Sequence, residues 1–137
     1  MIDKKDYYHG AALMALMGSG KAVEVQAVGD AYLVNRRSLI IPKYSTKKHS
    51  PWSFSFSQVE LQLLRSQPGA GPRKLYVLIC GDDGICALDG VEADGLLGAQ
   101  GMQLRVHRRH GGHYDVSGSA WSRKIPPGRW PAIEDVG

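Results

Sequence analysis

The stretch LIIPKYSTKKHSPWSFSF, residues 39–56, carries the signals that decide the fold of this chain. Its apolar beginning predicts a buried strand that delivers Lys43 to its far end. Pro42 indicates that this strand either stops there or has a locally unpaired amide. A basic turn follows, and then every second residue is aromatic, which puts three rings on one face of a strand and serines on the other: Trp52, Phe54 and Phe56.

Segments on the N-terminal side of this stretch predict a helix and two more strands. AVEVQAV (22–28) and AYLVN (31–35) are expected to form a three-strand meander with SLIIPKYS (38–45). Before them, residues 6–18 predict an amphipathic helix. Its apolar face is expected to consist of Leu13, Leu16 and Met17.

A second helix is predicted to begin directly after the aromatic strand. Ser57 as N-cap and Glu60 three residues later form a capping box. The apolar stripe of this helix is expected to consist of Val59, Leu63 and Leu64. KLYVLIC (74–80) is a continuous apolar run, typical of a central strand covered on both faces. A strand over 85–89 and a short helix over 90–98 are expected next.

The C-terminal third predicts a β-hairpin. Residues 102–109 and 113–120 read as strands joined through Gly111-Gly112, a two-residue turn signal. In that register His110 faces His113, and Arg108 faces Asp115.

The order of these elements predicts an α+β fold with a central mixed sheet flanked by helices and a C-terminal β-hairpin. A length of 137 residues is typical of one domain. We therefore expect residues 1–124 to form a single globular domain. Residues 125–137, which contain three prolines, are expected to form a tail that wraps the surface or frays.

Composition bounds the class of protein. A hydrophobic content of 43% is enough to bury a real core. No apolar run approaches the length of about 18 residues that a membrane span needs, and the charged N-terminus does not resemble a secretory signal. A cytoplasmic protein is the default expectation. Cys80 and Cys86 are then expected to be reduced, packed thiols.

Clustered basic residues point to a nucleic-acid partner. The formal net charge is +4 and the isoelectric point is about 9.2, which is informative because the charge is grouped. The first group is Lys43, Lys47, Lys48 and His49; the second lies in RVHRRHGGH (105–113) and includes Arg105, Arg108, Arg109 and His110. The first group can neutralise phosphates, and the second, as a two-stranded ribbon, fits a major groove. The alternative is that both groups are solvated.

No metal site is expected among the histidines. His107 points away from the His110/His113 pair, and two ligands fall short of the four that a structural zinc site uses.

The helix, three-strand meander, helix and central strand over residues 6–89 resemble the PD-(D/E)XK, or restriction-endonuclease-like, nucleases. That family carries an acidic residue at the start of its second strand, where Asp30 stands here. Its third strand carries Glu or Gln, one residue, then Lys, and Lys43 falls at the lysine. The resemblance implies that Asp30 and Lys43 derive from a Mg²⁺-dependent catalytic site. A plainer reading is an ion pair or solvated charges at the ends of strands.

Two positions depart from the family pattern. Ile41, two residues before Lys43, cannot bind a metal, and His9 or Ala12 stands near the place of the glutamate on the first helix. The resemblance thus implies a catalytically silent scaffold without a cofactor. Mg²⁺ is implied only if the site is active.

Three functions are consistent with these observations. The leading one is a nucleic-acid-binding protein, of DNA or RNA, on an inactive nuclease-like scaffold; the resemblance implies roles in prokaryotic or phage defence. The first alternative is a protein-interaction module whose partner-binding residues are Arg129 and Trp130, since tryptophan and arginine anchor interfaces. The second alternative is a Mg²⁺-dependent nuclease. The sequence predicts no particular oligomeric state.

Overall fold

The computed structural model describes residues 2–20, 24–65, 71–109 and 112–132. The helices are α1 (Lys4–Gly18), α2 (Gln58–Leu64), α3 (Gly90–Leu97) and the four-residue α4 (Arg129–Ala132), whose backbone is not helical at Trp130 and Pro131. The strands are β1 (Val25–Val28), β2 (Ala31–Val34), β3 (Ser38–Ser45), β4 (Trp52–Ser55), β5 (Arg73–Cys80), β6 (Gly84–Asp89), β7 (Gln103–Arg108), β8 (Tyr114–Ser117) and β9 (Ser122–Ile125). Among the described helices, none is long and apolar enough to cross a bilayer.

The strands form two sheets. The first sheet has the order β1-β2-β3-β5-β6, with β3 and β5 parallel and its other pairs antiparallel, and the second sheet has the antiparallel order β4-β7-β8-β9. The α+β class is confirmed. The first sheet is mixed, as expected; the second sheet was not expected, and it forms because the aromatic strand β4 pairs with β7 rather than with β3. The rings of Trp52 and Phe54 thereby face the first sheet across the core.

The strand β5 is buried on both faces, as its apolar run predicts. Tyr76, Leu78 and Cys80 point into the main core, which fills the space between the two sheets together with α2 and α3. The alternate residues point to the opposite side, into a smaller core under α1: Leu75, Val77 and Ile79. Cys80 on β5 and Cys86 on β6 are buried free thiols, as expected.

The helix α1 covers the second face of β5 with a different set of residues from the one predicted. His9, Ala12 and Leu16 are buried, whereas Met17 is exposed and Leu13 is half-buried. The buried positions are three and four residues apart, so they share one helix face. Only Leu16 of the predicted apolar face was correct as a fully buried residue.

Local capping signals define the starts of α2 and α3. The capping box between Ser57 and Glu60 is confirmed, and an equivalent box at Asp89 and Glu92 begins α3. The predicted apolar stripe of α2 is correct only at Leu64. The other buried position is Leu61, while Val59 and Leu63 are exposed.

The register of β7 against β8 differs by one residue from the predicted hairpin. Arg108 lies opposite Tyr114, and Asp115 lies opposite His107. The predicted pairing of Arg108 with Asp115 was wrong, because the strands end at Arg108 and Tyr114 and leave a longer connection than the two-residue turn. His110 and Gly111 lie outside the described residues.

The described part of the expected tail, residues 125–132, is part of the fold. Trp130 is 7% exposed, packs in the core under α1, and donates a hydrogen bond from Nε1 to the carbonyl oxygen of Ala12 at 3.2 Å. Arg129 Nη1 contacts Glu92 Oε1 at 2.5 Å and donates to the carbonyl oxygen of Ala87. The expected exposed partner-binding surface at these two residues is therefore absent, because both anchor α1 and α3 to β6.

We expect Trp130→Ala to lower the free energy of unfolding by about 3–5 kcal/mol, the usual cost of emptying a buried aromatic site. Trp121→Ala is the matched control, since Trp121 is exposed and its loss should change that free energy by less than about 0.5 kcal/mol. Denaturant unfolding followed by circular dichroism measures both. Equal effects of the two substitutions would contradict the placement of Trp130 in the core.

Candidate functional site

A cleft of about 630 Å³ lies beside the first sheet at the point where β2 begins. Its walls come from α1 and the turn before β2 on one side, and from β4 and α2 on the other, with β3 between them. Small-molecule sites usually measure about 300–1,000 Å³. The cleft therefore has the size of a ligand site, and its side chains decide what it can do.

The cleft exists because β3 is longer than its neighbour. β2 pairs with β3 only at Ser38, Leu39 and Ile40, whereas β3 continues to Ser45. The carbonyl oxygen of Ser45 accepts from Gly81 N–H on the β5 side. Since the backbone groups alternate in direction along a strand, the nitrogen of Pro42 points to the opposite, open edge. Of the two alternatives for Pro42, the unpaired amide position is the correct one.

Asp30 and Lys43 both line this cleft, but each pairs with another residue. Lys5 Nζ lies 3.1 Å from Asp30 Oδ1, in a pair where Asp30 is 81% exposed. Lys43 is only 15% exposed, and its Nζ lies 2.5 Å from Glu60 Oε2. The strand thus delivers Lys43 to a carboxylate of α2.

Glu60 is the site residue that sequence reasoning missed. Its Oε1 accepts from the backbone of Ser57 in the capping box, which leaves Oε2 for Lys43. The capping box signals that Glu60 stands at the start of a helix, but only the packing of α2 beside β3 brings it to Lys43. Burial alone would raise the pKa of Glu60; hydrogen bonds from Lys43 and Ser57 outweigh it and hold that pKa below its usual value.

Aromatic rings surround the Lys43–Glu60 pair. Lys43 Nζ lies 4.8 Å from the centre of the Phe56 ring, a cation–π distance. Phe56 in turn contacts the buried ring of Tyr76. The Tyr76 hydroxyl has no hydrogen-bond partner among the described residues. Burial raises the pKa of Tyr76, and the charge of Glu60 adds to the effect. The Phe56 ring and the Glu60 carboxylate together hold the Lys43 side chain in place.

His9 forms part of the opposite wall of the cleft. It is 5% exposed, and its Nδ1 lies 3.0 Å from the hydroxyl of Tyr32. Tyr44 meets the imidazole edge-on from β3. Burial lowers the pKa of His9, and the nearby Lys5 lowers it further. The burial of His9 and its contact with the Tyr32 hydroxyl favour a structural role for this residue.

The described residues contain no cluster of three or more histidine, cysteine or acidic side chains arranged to hold a metal ion. Ile41, the position of the family's carboxylate, is buried in the main core.

The first basic group lies on the loop between β3 and β4. Lys47, Lys48 and His49 are exposed there. Two hydrogen bonds fix the loop: Trp52 Nε1 donates to the Lys47 carbonyl oxygen at 2.8 Å, and Ser50 Oγ donates to the Arg108 carbonyl oxygen at 3.1 Å. The loop therefore lies against the end of β7.

The residues of the second basic group have different environments. Arg105 and Arg109 are exposed. Arg108 is 16% exposed, because its Nη1 lies 2.6 Å from Asp83 Oδ2 and its guanidinium sits over the ring of Tyr114. The Asp83 hydrogen bond raises the pKa of Arg108. Arg108 thus serves the fold rather than a partner, and His110 lies outside the described residues.

One exposed aromatic residue escaped the sequence analysis. Trp121 is 66% exposed at the turn between β8 and β9. The signal that could have found it is its position after Ser117, Gly118 and Ser119, small and polar residues that predict a surface turn.

Comparison of the chain with protein-family models, curated proteins and solved structures gave no match.

We expect Lys43→Met to lower the free energy of unfolding by about 1.5–3 kcal/mol, the range for a hydrogen bond to a charged group in a partly buried place. The matched control is Lys5→Met, which breaks the exposed pair with Asp30 and should cost clearly less than Lys43→Met, because solvent screens exposed pairs. Urea titrations of the three proteins measure the difference. Equal losses of unfolding free energy in the two variants would contradict a stabilising contact between Lys43 and Glu60.

His9 should make stability dependent on pH. Its pKa in the folded protein is below the ordinary value of 6.5, so the unfolded state binds the proton more readily. The contribution of His9 to the free energy of unfolding is complete above about pH 6.5 and is lost as the pH falls below that value. We expect His9→Gln to remove this part of the acid-side slope in unfolding free energy, and the exposed His49→Gln to retain it. An unchanged slope in His9→Gln would contradict the assignment.

Proposed function

We propose that this chain binds nucleic acid, on a scaffold of the nuclease-like type, through a basic surface made of Lys47, Lys48, His49, Arg105 and Arg109. One observation supports this function most: two basic segments that are far apart in the sequence meet in the fold. Ser50 holds the loop 47–49 at the end of β7, which carries Arg105 and leads into Arg109. Phosphate contacts of such cations supply most of the affinity for nucleic acids.

The balance of charge around this surface favours an anionic partner. Asp83 is neutralised by Arg108. Asp82 is exposed on the turn between β5 and β6, and Asp115 lies opposite His107 in the sheet. Beside these two acidic residues, four lysine and arginine side chains are exposed: Lys47, Lys48, Arg105 and Arg109.

The scaffold supports binding better than cleavage. The meander β1–β2–β3, the helix α2 and the parallel pairing of β5 with β3 follow the element order of the nuclease-like scaffold. Asp30 and Glu60 are each held by a lysine, and Ile41 is buried. A Mg²⁺-dependent nuclease is the second candidate, favoured by one observation: Asp30, Lys43 and Glu60 line the same cleft.

The double substitution Lys47→Glu/Lys48→Glu should weaken binding of labelled oligonucleotides by about tenfold or more at low salt, because it replaces phosphate contacts by repulsion. The wild type should lose affinity steeply as salt rises, and the variant less steeply. Fluorescence anisotropy at two salt concentrations measures both.

Lys4→Glu/Arg36→Glu is the control, since it makes the same change of charge on α1 and on the turn after β2. Similar weakening by both double variants would point to net charge alone, and absence of binding by the wild type would refute the function. In the same assay with Mg²⁺, cleavage of the labelled oligonucleotide by the wild type, lost in Lys43→Ala, would establish the nuclease instead.

A further inference from the structure

The strand β1 is exposed on both of its faces. All four of its residues are exposed, and three of them are apolar: Val25, Ala27 and Val28. β1 is also the last strand of the first sheet, where it pairs with β2 alone. Because apolar side chains gain free energy when they leave water, a strand of this composition is suited to a partner.

The backbone groups on the outer edge of β1 belong to Val25 and Ala27. Glu24 directs both of its own groups towards β2, since its N–H donates to Asn35 Oδ1 and its carbonyl oxygen accepts from Asn35 N–H. These groups alternate in direction along an antiparallel strand, so those of Val25 and Ala27 point away from β2. The outer edge thus presents two N–H groups and two carbonyl groups to an incoming strand.

The other strand edges of the described fold carry protection that β1 lacks. α4 packs against β6. β9 carries Arg123 and Lys124, and charged side chains discourage pairing at an edge. The edge of β4 forms a wall of the cleft, and Pro42 interrupts the open edge of β3. The sequence of β1, VQAV, has neither a proline nor a charge. β1 is therefore the edge best suited to accept a strand.

We propose that β1 pairs antiparallel with β1 of a second copy of this chain, about a two-fold axis. The two five-stranded sheets then join into one continuous sheet. The contact closes on itself, because both copies use the same surface. This inference goes beyond the nucleic-acid function proposed above and does not depend on it.

The two-fold axis limits which residues can face one another. An axis perpendicular to the sheet keeps both copies of α1 on the same side, so each residue meets one whose side chain points to the same face. With Gln26 at the axis, Val25 of each copy lies opposite Ala27 of the other. These two pairs use all the outward-facing groups described above. Gln26 then faces Gln26 of the second copy in a non-hydrogen-bonded pair, with Cα atoms about 4.5 Å apart.

Charges beside the axis favour this register. Glu24 lies opposite Val28 of the second copy and keeps its ion pair with Arg36 of its own chain at 3.2 Å. A register centred on Ala27 would instead place Glu24 opposite Asp30, and like charges directly across a strand pair are destabilising. The four residues of β1 itself are uncharged, so no repulsion arises at the axis. The strand is therefore compatible with a copy of itself.

Multi-angle light scattering without nucleic acid measures the mass of the protein in solution. We expect a mass that approaches twice 14.9 kDa as the concentration rises. Ala27→Pro removes an outward N–H from each copy and none that β2 uses, so it should weaken the dimer by about tenfold or more.

Ser53→Pro is the matched control. Phe56 N–H is directed at β7, so the N–H of Ser53, three residues earlier, points to the outer edge of β4. This variant loses an equivalent N–H at a different edge and should leave the dimer unchanged. Circular dichroism checks that both proline variants are folded.

Cysteine cross-linking tests the register independently. Gln26→Cys should form a disulfide-linked dimer under mild oxidation, because a Cα separation of about 4.5 Å lies within the range of disulfides. Val28→Cys should not cross-link, since in this register residues 28 of the two copies are about 14 Å apart. The native Cys80 and Cys86 are buried and should contribute no cross-link.

The outcomes decide the proposal. The mass of one chain at every concentration, with no cross-link from Gln26→Cys, would overturn it, and the edge would then be open to an extended segment of a different protein. A dimer that Ala27→Pro leaves intact, or that cross-links through Ala27→Cys rather than Gln26→Cys, would also overturn it. A dimer weakened by Ala27→Pro, kept by Ser53→Pro and cross-linked by Gln26→Cys supports it. Oligonucleotide binding is measured separately, so failure of either function leaves the other untouched.

Discussion

Burial of β5 on both faces is the constraint on which the rest of the structure depends. A strand that is apolar on each side needs two covers, because its alternate side chains leave the sheet in opposite directions. The second sheet with α2 and α3 supplies one cover, and α1 with Trp130 supplies the other. The chain must therefore return twice to the same strand. This requirement explains why an element as late in the sequence as Trp130 packs against the first helix.

Charged groups in this protein mostly stabilise junctions between elements. Glu92, half-buried at the start of α3, forms ion pairs with both Arg123 from β9 and Arg129 from α4. Arg108 joins the end of β7 to the turn between β5 and β6 through Asp83. Pairs of this kind fix geometry more than they add stability, since desolvation offsets much of the attraction. Lys47, Lys48, Arg105 and Arg109 are exposed instead, and they are the cations for which we propose a partner.

Local signals in the sequence predicted the elements well and their partners poorly. The capping box at Ser57 and the alternation of rings in β4 depend on neighbours within a few residues, so both were recognisable. The pairing of β4 with β7, the one-residue shift at Arg108, and the joining of Glu60 to Lys43 depend on contacts between distant segments. Asp30 and Lys43 line the same cleft, but their partners, Lys5 and Glu60, were not expected from the sequence. The two tryptophans show the same limit: Trp130 follows prolines and is buried, whereas Trp121 follows an apparently ordinary turn and is exposed.

The proline on the open edge of β3 has a consequence for how this protein behaves in concentrated solution. A strand edge without a neighbour is a template on which another extended chain can add, and such additions lead to self-association. Pro42 removes an amide donor at the middle of that edge and so interrupts the ladder that an incoming chain would need. Pro42, which lies on the open edge beside the cleft, therefore also hinders a second copy of the protein from pairing with that edge.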